Sequence, residues 1–234
     1  MKKTSKFLTA VTKHQKTQSK DRFEGFLKDY LEILELNLDI SSLAHKRLYD
    51  SITKYGITRM KDDNSRCRKL FNAEPLRTYD YFQDSFFGME QSLNKVMRFL
   101  HSAAMKGEES RQVLLLLGPV GAGKSALVEH IKRALEATED VYHIADCPIR
   151  EEPLHLIPRG LRDEFEDVYG VKIEGDLCPV CRHNLLEKYD GDYTKVPLAT
   201  SSFSIRGRRG IGVVPPMDPN TQDSSILIGS EDIS

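Results

Sequence analysis

The sequence predicts an α/β fold in which a small N-terminal helical module precedes a parallel sheet that is incomplete. Three observations predict it. Residues 21–38 place Phe23, Phe26, Leu27, Tyr30, Leu31, Leu34 and Leu38 on one helical stripe. "VLLLL" (113–117), an amphipathic run after Lys124 and "VYHIA" (141–145) follow in the strand–helix–strand order of a βαβ unit. Downstream, strand candidates are few, whereas a full doubly wound sheet takes about five.

After the first helix, Ser41 or Ser42 stands where a cap is needed for a second helix through Leu48, Ile52 and Tyr55, stopped at Gly56. "TRMKDDNSRCRK" is polar and without period, as a linker is. An aromatic-rich entry, "YDYFQDSFFG", then leads to a helix lined by Met89, Leu93, Val96, Met97 and Leu100. The continuous apolar character of "VLLLL" is that of a central parallel strand buried on both faces. Leu127, Val128, Ile131 and Leu135 form the inner stripe of the helix behind it. Beyond Pro148, "EEPLHLIPRGLRDEFEDVYGV" has a short helical centre, and "SSFSI" (201–205), "GIGVV" (210–214) and "SILI" (225–228) are the remaining strand candidates. The resulting division is a basic flexible tail (1–20), a helical module (21–60), a linker (61–78) and a nucleotide-binding domain (79–234).

Composition narrows the class. A net charge of −1 gives no global field to recruit nucleic acid or a membrane surface. The N-terminal tail holds lysines and no acid, but its apolar patch, Phe7 to Val11, is too short for a signal peptide. No apolar stretch is long enough to span a bilayer. Four cysteines (67, 147, 178, 181) in a chain of 234 residues fit a reducing cytoplasm better than a disulfide framework.

The chemistry concentrates in "GPVGAGKS" (118–125), which fits G-x-x-x-x-G-K-[ST]. Gly118, Gly121 and Gly123 let the backbone curl so that N–H groups converge on one concavity, with Pro119, Val120 and Ala122 between them. The helix that starts there turns the positive end of its dipole to the same place. Lys124 is expected to reach the β- and γ-phosphates of ATP, and the Ser125 hydroxyl to ligate Mg²⁺. Phosphoryl transfer also needs an acid at a neighbouring strand tip. Asp146, and Glu231 with Asp232, imitate it; solvated loop acids are the better reading of each. "CPVCRH" (178–183) offers Cys178 and Cys181 as a zinc candidate. Cys147, His143 or His155 complete it only by folding back, and a bland turn or a redox pair remain alternatives. Arg206, Arg208 and Arg209 read as a solvated basic loop, with an arginine reaching a neighbouring subunit's phosphate as the sharper alternative. The H-R-D, D-F-G and V-A-I-K signatures of eukaryotic-type kinases are missing from the sequence.

Several blocks go beyond the glycine loop. "FFGMEQSLNKVMRFLHSAA", "GPVGAGKSALVEHIKRALE", "CPIREEPLHLIPRGLRDEFE", "GDLCPVC" and "GIGVVPPMDPNTQDSSILIGSEDIS" together resemble the N-terminal ATPase part of the PrkA family of bacterial serine protein kinases. The resemblance covers roughly 22–234. It implies a P-loop NTPase fold of AAA+ type, a cytoplasmic protein, ATP and Mg²⁺ as cofactors, a protein substrate and a homo-oligomer. Activity implied by the family is serine phosphorylation in stress and starvation signalling, with ATP-dependent proteolysis or a non-catalytic nucleotide switch as alternatives. Members of the family are much longer, so the resemblance implies a truncation at Ser234 and an enzyme that is catalytically incomplete.

Overall fold

The computed structural model describes residues 23–59 and 76–214. The expected basic tail, most of the linker with Cys67, the 225–228 strand, Glu231 and Asp232 lie outside the described residues.

Helix α1 (Leu27–Leu36) forms where the apolar spacing is helical, and it buries Leu27, Tyr30 and Leu34. Its entry is fixed by Asp29, whose carboxylate accepts the Phe26 N–H at 2.8 Å. The helix is shorter than the stripe in the sequence. Glu24–Gly25 pairs as a short strand, β1, before it. At the other end Asn37 takes the Asp39 N–H at 3.0 Å and starts a separate 3₁₀ turn, Leu38–Ser41. Helix α2 (Ala44–Thr53) follows, with Leu43 rather than a serine at its cap. Gly56, at φ 125°, ends it and leads into β2 (Ile57–Arg59), which pairs antiparallel with β3 (Arg77–Tyr79). Helix α3 (Glu90–Ala104) buries Leu93, Val96, Met97 and Leu100. Helix α4 (Lys124–Glu136) leads to β4 (Val141–Ile144). Helix α5 (Arg162–Tyr169) stops at Gly170, and α6 (Pro179–Tyr189) precedes β5 (Leu198–Ser201).

Two apolar clusters form the interior. One gathers Leu27, Tyr30 and Leu34 of α1 with Ile144, Leu154, Leu156, Phe165, Leu185 and Leu198. The other gathers Leu48 and Ile52 of α2 with Phe82, Met97, Leu100, Leu127 and Ala134. Residues 27–53 therefore contribute to both.

The α/β class stands, but the parallel sheet is corrected: every pairing among the described residues is antiparallel. The three-stranded sheet has the order β1–β5–β4, with Val141 opposite Ser201 and Ile144 opposite Leu198. The reason lies in β5, where Leu198 and Thr200 are buried and Ala199 and Ser201 are half-buried. That alternation suits a sheet covered on one face, the antiparallel habit, rather than one covered on both. The "VLLLL" run forms no ladder. Val113, Leu115 and Leu117 are 91, 71 and 84% exposed, and Leu116 packs partly against the second cluster. A central strand is buried only when neighbouring strands and covering elements flank it, and no described strand pairs with this run, so its apolar composition alone secures neither pairing nor burial. The strand candidate 201–205 is displaced to 198–201, because Ser204 and Arg209 close a tight turn by pairing with each other. Residues 211–214 form no strand.

Candidate functional site

The glycine loop sits directly on the N-terminus of α4. Gly123 caps the helix in the left-handed region, at φ 76°, and Gly121 is at φ 81°. A side chain at either position is strained, which is why this turn requires glycine. At Gly123 an added Cβ also meets the Met89 sulfur at 3.4 Å. The first-turn N–H groups of an α-helix have no carbonyl within the helix to bond, so they face outward from Lys124 and Ser125 with the positive end of the dipole behind them. Lys124 Nζ folds back on the loop, donating to the carbonyls of Gly118 and Pro119 at 2.7 Å each. The ammonium is thereby fixed to the loop, and Ser125 is exposed at the second helical position. Helix α4 is itself anchored. Tyr81 Oη donates to the His130 carbonyl at 2.8 Å, the His130 ring meets Ser85 Oγ at 2.9 Å, and Phe86 packs edge-on against that ring. Glycine conformation, donor direction and a held ammonium fit a polyphosphate with its cation.

A second constellation lies at the end of β4. Cys147, Glu151, Cys178 and Cys181 bring their ligand atoms within 4.8 Å of one another. The chain after β4 folds back through a turn closed by Ile144 N–H to the Glu151 carbonyl (2.9 Å), which brings Cys147 and Glu151 to one side. Cys178 caps α6, and its sulfur accepts the Cys181 N–H at 3.3 Å. Glu151 Oε1 accepts the Cys178 N–H at 2.8 Å and faces His155 Nδ1 at 3.1 Å. His155 Nε2 faces the Glu174 carbonyl at 2.9 Å, so the ring has acceptors on both sides. Burial alone raises the Glu151 carboxyl, but the Cys178 N–H, His155 and the neighbouring thiols together hold it below the usual carboxylate range. Burial, and next the Cys147 thiol, push the Cys181 thiol up.

Comparison with known proteins decides the family. Residues 25–234 match the family described as the PrkA AAA domain. The chain belongs to that family. It is 37% identical over 97% of its length to "ATP-dependent protease PrkA" of Bacillus subtilis (strain 168). It is 32% identical over 72% of its length to "Serine/threonine kinase YeaG" of Escherichia coli (strain K12). The chain spans about a third of the length of the first of these curated relatives and about a quarter of the second, 35 and 27% respectively. No solved structure matches it. It is an ATP-binding AAA+ domain related to PrkA and YeaG.

The remaining sequence candidates fall in place around this PrkA-family domain. Asp146, just beyond β4, is exposed and lies 4.0 Å from Lys188 Nζ, as a solvated acid does. Arg206 and Arg208 are exposed, while Arg209 Nη2 donates to Ser202 Oγ at 3.2 Å. Their turn is docked to the end of α4 by the Ile205 N–H, which Glu136 Oε1 accepts at 2.9 Å. His143 bonds its own strand's Ile144 carbonyl, and His183 is exposed; neither joins the cysteines. Sequence reasoning passed over Glu151. The signal was the spacing of "CPIREE", which puts a carboxylate four residues after Cys147, yet only the turn shows that they share a side. No described helix is long and apolar enough to cross a membrane.

Proposed function

We propose that this domain binds Mg²⁺–ATP through Gly118, Pro119, Val120, Gly121, Ala122, Gly123, Lys124 and Ser125. Lys124 meets the terminal phosphates and Ser125 ligates Mg²⁺. The single observation that carries the reading is the left-handed glycine loop on the α4 N-terminus with the Lys124 ammonium held in it. Nucleotide phosphates replace the Gly118 and Pro119 carbonyls as partners of that ammonium. The bound nucleotide serves ATP-dependent proteolysis of a protein substrate or a nucleotide-driven switch in a homo-oligomer in the cytoplasm. This output is supported by the PrkA relative, which aligns along nearly the whole chain and carries a protease name. Serine phosphorylation is the second reading, favoured by the kinase name of YeaG.

Titration of the full chain with Mg²⁺–ATP tests the site. Lys124→Ala removes a charge-assisted contact of roughly 1.5–3 kcal/mol and so weakens binding about 10- to 150-fold. An unchanged dissociation constant refutes the placement of Lys124 at the phosphates. Incubating casein and Mg²⁺–ATP with a protein that carries this domain at the full length of its relatives separates the outputs. Peptide fragments support the protease reading and phosphoserine overturns it; neither, with ATP-dependent protection of the chain from trypsin, supports the switch.

A further inference from the structure

We infer that Cys147, Glu151, Cys178 and Cys181 form a closed structural zinc site that pins the end of β4 to the N-terminus of α6. The site involves none of the glycine-loop residues.

Geometry carries the inference. Zinc bonded to sulfur at about 2.3 Å in a tetrahedron sets its sulfurs about 3.8 Å apart. The Cys147 and Cys178 sulfurs are 3.9 Å apart, and all four donor atoms fall within 4.8 Å. The same 3.9 Å is nearly twice the ~2.0 Å of a disulfide, and the three cysteines are free. Three sulfurs and one carboxylate make four donors, the number of a closed site, and thiolates select zinc over magnesium or calcium. The donors are also sheltered: Cys147, Glu151 and Cys181 are buried and Cys178 is half-buried.

The surroundings are those of a ligand set. Cys178 and Cys181 stand at the cap and third position of α6, at the positive end of the helix dipole, with the Cys178 sulfur accepting the Cys181 N–H at 3.3 Å. Glu151 is oriented by the Cys178 N–H and by His155, which is in turn fixed by the Glu174 carbonyl, an arrangement that sets a ligand's direction from behind. On binding, Zn²⁺ replaces the thiol protons of the three cysteines, which leave to solvent; no oxidant or reductant takes part. The resulting negative charge is offset by the α6 N-terminus and the adjacent Arg182, whose guanidinium reaches the Leu177 carbonyl at 3.0 Å. Cys147 and Glu151 come from one side of a 31-residue separation and Cys178 from the other, so the ion closes a long loop.

The test is metal content and cobalt spectroscopy on the full chain. One zinc per chain is expected, together with thiolate-to-metal absorption and tetrahedral ligand-field bands when Co²⁺ replaces it. Cys178→Ser and Cys181→Ser are expected to lose the metal. Since these variants are at risk of not folding, Glu151→Gln and His155→Ala complete the set. Glu151→Gln shifts the cobalt ligand-field bands while keeping the thiolate absorption, and His155→Ala lowers zinc affinity roughly 10- to 100-fold. His183→Ala leaves content and spectrum unchanged. A folded wild-type chain that carries no zinc and gives no cobalt–thiolate absorption overturns the inference. So does a Cys178–Cys181 disulfide found by mass spectrometry, or a Glu151→Gln spectrum identical to wild type.

Discussion

Tyr30 shows how a single residue couples the core to solution conditions. Its ring is 1% exposed and meets the Tyr142 ring edge-on, with centroids 5.3 Å apart. Burial, and next the nearby Glu152, push its phenol well above the ordinary range, while Arg47 opposes this weakly. The unfolded chain ionises its tyrosines near pH ~10, so above that pH protons leave the unfolded state first. The Tyr30 contribution to stability is therefore constant below about pH 10 and falls above it. Tyr30→Phe removes one contributor to that fall. Urea midpoints at pH 8 and pH 11 are expected to lie closer together in Tyr30→Phe than in wild type; an equal drop in both rejects the assignment.

Elements behave differently from what their own residues suggest. "VLLLL" has the composition of a buried strand, but Val113, Leu115 and Leu117 point outward and only Leu116 reaches the core. Leu115→Ala and Leu117→Ala are expected to change stability by no more than about 0.5 kcal/mol, the range of surface substitutions. Leu116→Ala is expected to cost more than either. Losses of about 2–5 kcal/mol at Leu115 or Leu117, the cost of truncating a fully buried leucine, contradict the observed exposure. By contrast α3 was legible except at Met89, which caps the helix, half-buried, instead of lining it. Its stripe of Leu93, Val96, Met97 and Leu100 follows the helical period, and the structure buries all four.

For the whole molecule, the two clusters define which substitutions are independent. Ile52 is fully buried in the second cluster and Leu154 is 1% exposed in the first. Each truncation to Ala is expected to cost about 2–5 kcal/mol. Because the two share no cluster, the double variant is expected to lose the sum within about 0.5 kcal/mol. A larger coupling energy, read from denaturant unfolding of the four chains, shows that the clusters act as one.

Local chemistry is what the sequence by itself determined. The glycine loop is legible because positive φ and a helix start are encoded by adjacent residues, Gly121, Gly123 and Lys124. The helices are legible in outline because a period of 3.6 needs only one segment to express it, although Val128, expected on the inner stripe of α4, is 43% exposed. The family, too, was legible in blocks of contiguous residues. Strand direction and the cysteine constellation were decided only by the tertiary structure. β4 meets β5 through residues more than fifty positions apart, and Glu151 joins Cys178 across 27. Such pairings depend on how the intervening chain closes, which no local period records.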